Sequence, residues 1–353
     1  MTVSGRSQHR FRLTATLLIG SLALGGCTPE KARALQGAVV QFKIESLAAI
    51  EDIEEMHRRE LAPPPRPESE VRESFIRNVL NYNESLNPEI VELALDPDAV
   101  ALNPQSQAQW NAFMDDLRTQ YSTFAGIFDD LESGSFVAAE AVKSSAEHAQ
   151  MLTLQMAAFA AALDKNPPIL IQYRSAIVTE LDALREQYQK NQRQIRRARS
   201  QNNSATLERL QANNRELEQQ TGVLMDRWKQ VKADEQELLQ TTMAQCLKTA
   251  TLGKDLTQLI NTYETLNLND INSAVAGILN TVAGITGRDY NSLRARSATV
   301  LNAIQESPVW SGVANTALSR VSAVVANRTA LVSGTIPEIT VPPPPARRPT
   351  SRS

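Results

Sequence analysis

From Ile177 to Leu238, apolar or small residues recur in steps that alternate four and three. The first run is Ile177, Leu181, Leu184, Tyr188, Asn191, Ile195 and Ala198. The second is Leu207, Leu210, Asn214, Leu217, Thr221, Leu224, Trp228, Val231, Glu235 and Leu238. A strand would scatter these positions over both faces, whereas a helix gathers them into one stripe. The spacing therefore predicts two long helices with coiled-coil seams. Between them lies Ser200-Gln-Asn-Asn-Ser204, too polar to continue the stripe. Helices joined by so short a loop fold back on each other. At 1.5 Å per residue the arms are about 45 and 60 Å long. Asn191, Asn214 and Glu235 on the seam weaken the pair and set its register. The alternative is a single uninterrupted helix paired with a second copy.

The same periodicity fills most of the chain. Residues 30–61 carry Leu35, Val39, Phe42, Ser46, Ala49, Ile53 and Met56 on one face, and the prolines of 62–67 end that helix as a stiff hinge. Residues 68–104 read as a helix with Phe75, Val79 and Leu80, followed by turns at Asn87-Pro88, Asp96-Pro97 and Asn103-Pro104, with Asn87 and Asp96 as N-caps. Residues 106–132 hold an aromatic stripe of Trp110, Phe113, Leu117, Tyr121, Phe124, Phe128 and Leu131, read as core. Beyond Gly134 an alanine-rich helix over about 136–164 presents Val142, Ala149, Leu152, Met156, Phe159 and Leu163, and Asn166-Pro167-Pro168 ends it. Residues 246–266 continue as helix through Leu256, Leu259 and Tyr263. Two more helices follow, over about 289–305 and 308–332, the second capped by Ser307. Only 14 of 353 residues are glycine. The expected fold is all-α: an elongated helical bundle over 68–333, a long antiparallel coiled-coil hairpin at about 170–250, and a disordered Pro/Arg-rich tail over 334–353.

The front of the chain has a different logic. Arg6, Arg10 and Arg12 precede an apolar run, Leu13 to Leu24, with no acid in the first 26 residues. That run matches the core of a signal peptide and is short for a bilayer span. Leu24-Gly25-Gly26-Cys27 follows, and it resembles the lipobox of bacterial lipoproteins. The resemblance covers residues 1–28 only. It implies a signal peptide over 1–26, cleavage after Gly26, diacylglycerol on the Cys27 thiol, and a lipid-anchored helix over 27–61. Several acyl chains at about 0.8 kcal/mol per buried methylene make such an anchor durable. Thr28 in place of an aspartate implies the outer membrane, facing the periplasm, in a double-membraned cell.

Cleavage there would leave 33 basic residues against 39 acidic, a net charge of −6. That balance argues against a nucleic-acid binder. One local exception is Lys190, Arg193, Arg196, Arg197 and Arg199, five cations without an acid near the hairpin turn. They read either as a contact patch for anionic partners or as helix C-terminal charges faced by Glu208, Glu216 and Glu218. Residues 271–287 carry no charge and are rich in Gly and Ala. They read as a buried, tightly packed helix, with a weaker compositional likeness to inserting segments of helical pore-forming toxins.

Catalytic signatures are missing from the sequence. No His-Glu-x-x-His, Gly-x-Ser-x-Gly, Walker-type loop or Gly-x-Gly-x-x-Gly occurs, and Gly253-Lys254 lacks the residues around it that a phosphate loop needs. Glu54-x-x-His57 has di-iron spacing but no second copy, and reads as a solvated charged face. Cys246 sits among apolar neighbours and reads as a small buried hydrophobe. Neither a metal, a cofactor, nor a small-molecule substrate is expected. The expectation is a non-enzymatic, exported lipoprotein that meets the membrane through its anchor and a protein partner, or itself, through helical surfaces. A membrane-active protein inserting 271–287 stands second, and an enzyme with an unrecognised site third.

Overall fold

The computed structural model describes residues 28–62, 104–132, 139–287, 289–307 and 310–328, and every regular element among them is helical. Helices α1 (Thr28–Ala34) and α2 (Gln36–Leu61) flank a turn at Leu35. They are followed by α3 (Pro104–Glu132), α4 (Ala139–Lys165), α5 (Ile171–Ser200), α6 (Ser204–Thr262), α7 (Leu268–Ala283), α8 (Tyr290–Glu306) and α9 (Ser311–Asn327). The protein is all-α.

The spine is α6. Its 59 residues make a rod about 88 Å long at 1.5 Å per residue. The segment expected to continue as helix, 246–266, does so as far as Thr262. Two elements line it in tandem. Lys31 Nζ donates to the Glu264 carbonyl at 2.8 Å, and Thr249 Oγ1 donates to the Glu45 carbonyl at 2.8 Å. So α2 runs antiparallel along the C-terminal half, and α1 lies at its end, packed on α7. Arg174 pairs with Glu235, Arg227 with Glu180, and Asn191 with Asn214. So α5 runs antiparallel along the N-terminal half. The reversal is made at Gln201–Asn203, where Asn202 takes φ 54° and the Asn203 side chain accepts from Thr206 N. Asparagine is among the few residues that tolerate that left-handed conformation.

The core lies around α4. From Leu152 to Ala160 every side chain of α4 is buried, the mark of a helix surrounded on all sides. It packs on α6, α3, α8 and α9. Its small residues let neighbours close in. At Gly253 of α6 an added Cβ would stand 1.9 Å from Thr153 Oγ1 and 2.7 Å from Phe42 Cε2. The glycine weighed above for phosphate chemistry is therefore a packing contact.

Seam residues Leu35, Val39, Phe42, Ser46, Ala49, Ile53 and Met56 are all buried. Their position corrects the expectation of a separate N-terminal helix, because α2 shares one continuous core with α3, α4 and α6. The face was legible; what it packs on was not. Trp110, Phe113, Leu117, Phe124 and Phe128 are core and Tyr121 is half-buried, while the Leu131 side chain lies outside the described residues. Two further readings are corrected. Helix α7 is not packed all round: Ile271, Val275, Ile278 and Val282 face inward, whereas Asn272, Ser273, Ala276, Gly277, Asn280 and Thr281 are exposed, and Gly277 meets open space. Ser307 is the C-cap of α8 rather than the N-cap of the last helix, which starts after Trp310. The prolines of the hinge, Phe75, Val79, Leu80, Asn87, Asp96, the tail over 334–353, and residues 1–27 lie outside the described residues.

Candidate functional site

Where α2 ends and α5 begins, the two halves of the molecule are joined by buried charge. Arg328, just beyond α9, donates from Nε to Glu60 Oε1 at 2.9 Å, and from Nη2 to the carbonyls of Asn166 and Pro167 at 2.7 and 3.0 Å. Glu60 Oε1 also accepts from Ile169 N at 3.0 Å. One residue on, Leu170 N donates to Glu235 Oε1 at 3.0 Å, and Arg174 closes on the same carboxylate through Nε and Nη2. Arg174 and Lys232 then flank the Trp228 ring, 5.4 and 5.2 Å from its centroid. Prolines 167 and 168 explain the local need. They break the α4–α5 connection into extended backbone, whose free N–H and C=O groups must find partners when buried. The carboxylates of Glu60 and Glu235 meet the two N–H groups, and Arg328 meets the two carbonyls. This neck sets how the α5/α6 pair leaves the bundle. On the seam Glu235 reads as a register residue; its partner Arg174 is not legible from spacing.

Beside the neck, a cleft of about 540 Å³ opens between α2 and α3. Glu54, His57, Arg58, Trp110, Asp115 and Arg118 line it. The reading of Glu54 and His57 as a solvated charged face is corrected for His57 alone, since Glu54 stays partly exposed. His57 is buried and stacks on Trp110 with ring centroids 3.9 Å apart, while Glu54 pairs across the cleft with Arg118. Trp110 was legible as core; that it would carry a histidine on its face was not. No group of His, Cys, Asp or Glu able to hold a metal ion occurs among the described residues. Cys246 is fully buried, and burial pushes its thiol far above the ordinary range, with Asp52 adding to the effect. A thiol held protonated and out of solvent is a poor nucleophile.

The five cations of the proposed patch fall together at the far end of the rod. Lys190, Arg193, Arg196, Arg197 and Arg199 are all exposed, opposite the buried Asn191, Ile195 and Ala198. The alternative reading has Glu208, Glu216 and Glu218 face them. Among the described residues no ion pair joins an acid to Arg193, Arg196, Arg197 or Arg199. The returning arm instead brings Arg209 and Arg215, both exposed, alongside them. Backbone geometry also favours cations here, since the C-terminal end of α5 points at the turn. Leu24, Gly25, Gly26 and Cys27 lie outside the described residues, and Thr28 opens α1 directly after them.

Comparison with family models, with curated proteins and with solved structures finds no match to this chain.

Proposed function

We propose that the protein is a non-enzymatic structural or protein-interaction module of the bacterial cell envelope, anchored by acyl chains on Cys27. It acts through an antiparallel coiled-coil hairpin formed by α5 and the N-terminal half of α6. The observation that carries this reading is the opposition of the two ends. Thr28, next to the lipidation site, begins a helix held beside Glu264, at the C-terminal end of α6. The Gln201–Asn203 turn lies at the other end, about 88 Å away along one continuous helix. An anchor at the first position would leave the hairpin projecting from the membrane, where its side faces meet partners without further search. Glu235, Asn191 and Asn214 specify one register for that hairpin, and Val223 offers an exposed apolar side chain along it. The second reading, membrane insertion of 271–287, has one supporting feature in the uncharged outer face of α7 beyond Asp270. Against it, Ile271, Val275, Ile278 and Val282 of α7 already face the core, and no described helix is long and apolar enough to cross a membrane.

The test is substitution of Cys27 by serine in cells. Labelled palmitate should no longer enter the protein, and it should leave the membrane fraction. Unchanged incorporation and fractionation would remove the anchor from the account. Photocrosslinkers placed at Val223 and Arg227 should then capture a discrete protein partner, or a second copy, in the anchored form.

A further inference from the structure

We infer that the α5/α6 turn is a docking head for an anionic phospholipid bilayer. The buried Asn191–Asn214 hydrogen bond of 3.0 Å aligns the two arms, so Lys190 lies level with Arg215 and Arg196 level with Arg209. Seven cations, six of them arginine, therefore crowd the last stretch of the rod, about 17 Å at 1.5 Å per residue. Glu208 is the one acid between Gln189 and Arg215. Packing and ion pairing do not account for the arginines. All six are exposed, and none is joined to an acid among the described residues.

The kind of partner follows from what the head lacks. Between Gln189 and Arg215 there is no aromatic residue, so nothing can stack on unpaired bases. None of the exposed large hydrophobics falls there either, these being Ile44, Leu47, Val223 and Leu268. A protein interface draws its affinity from buried aromatic and aliphatic anchors, and a helix that inserts into lipid needs an apolar face. Neither is present. The cations spread over the exposed faces of both arms, away from the buried seam, which fits a broad uniform negative surface better than a discrete ligand. Guanidinium groups match phosphate oxygens bidentately. Each basic residue near an anionic bilayer improves partitioning about fivefold, an effect confined to about a Debye length, roughly 8 Å at physiological salt. Three or four cations in reach at once give several hundredfold. The inference does not need the lipid at Cys27. Where that anchor is present, the same rod would join two surfaces about 88 Å apart.

The test uses the full chain with Cys27→Ser and a donor fluorophore on Gln201→Cys, Cys246 being buried. Energy transfer to an acceptor on lipid headgroups then reports the tip alone, whatever the other end does. Transfer should be strong on phosphatidylglycerol vesicles, weak on phosphatidylcholine vesicles, and lost at 0.5 M salt, a concentration at which the screening length falls to about 4 Å. The R193E/R196E/R197E/R199E variant should lose binding by at least about a hundredfold, and R209E/R215E by a smaller factor. Circular dichroism should match the parent in both, since every substituted side chain is exposed. Equal transfer from the four-fold variant, or equal transfer on neutral vesicles, would overturn the inference. So would tighter binding to duplex DNA of the same charge density, which would make the head a general polyanion site.

Discussion

Removing one member of the Glu60–Arg328 pair should be the most damaging single change outside the apolar core. Both side chains are at least 98 % buried, at 2 % and 0 % exposure. In Arg328→Met the Glu60 carboxylate keeps only the Ile169 N–H as a donor, and the carbonyls of Asn166 and Pro167 lose theirs. Breaking a buried pair from one side costs about 3–5 kcal/mol, because the remaining charge is left uncompensated. With a urea slope of about 3 kcal/mol per molar, the unfolding midpoint should drop by about 1–1.7 M. Glu60→Leu combined with Arg328→Met should recover most of that loss, since no charge then stays buried. It should stop short of wild type by about 1–3 kcal/mol, for the orphaned Ile169 N–H and the two carbonyls. Far-UV circular dichroism against urea on all four proteins gives the cycle. A midpoint for Arg328→Met within about 0.3 M of wild type would refute the idea that this pair holds the neck. A double variant as unstable as the sum of the singles would refute the charge-compensation argument specifically.

Other substitutions probe other parts of the rod. Gly253→Ala should destabilise by about 1–3 kcal/mol by overpacking, and Thr153→Ala, which removes the atom 1.9 Å from the new Cβ, should relieve part of it in thermal melts. Asn191→Ala leaves the Asn214 amide buried without its donor and should cost about 1–3 kcal/mol. Replacing both asparagines by leucine should instead raise the melting temperature while admitting higher oligomers on size-exclusion chromatography. Asp52 has its carboxyl raised above the usual range by burial, with Glu51 adding to the shift. A raised carboxyl favours folding only while protonated, so its contribution is lost as pH rises through the folded value. Asp52→Asn should therefore stabilise at pH 7 and make no difference at pH 3. Cys246 should resist aromatic disulfide reagents in the folded chain and react fully once denatured.

Helix identity and inward faces could be read directly from spacing. The seven seam residues from Leu35 to Met56 are buried, and the described residues of the α3 stripe and of both long seams are buried or half-buried, where their periodicity put them, because a helix's own geometry decides which side chains share a stripe. The basic cluster at the turn was equally plain, since charge needs no partner to be counted. Periodicity says nothing about which stripe meets which. That α2 would share α6 end to end with α5, rather than stand apart ahead of its prolines, depends on contacts between residues some 200 positions apart, such as Glu45 with Thr249. The same holds for the neck. Glu60, Glu235, Arg174 and Arg328 are ordinary charged residues on four helices or their ends, and only the fold shows that broken backbone at Pro167 and Pro168 draws them together. Local repeats determine the helices and their faces, whereas pairing is a long-range choice made by complementary packing and by the need to satisfy buried polar groups. Tertiary structure alone decided that choice, and with it a single rod whose two ends differ.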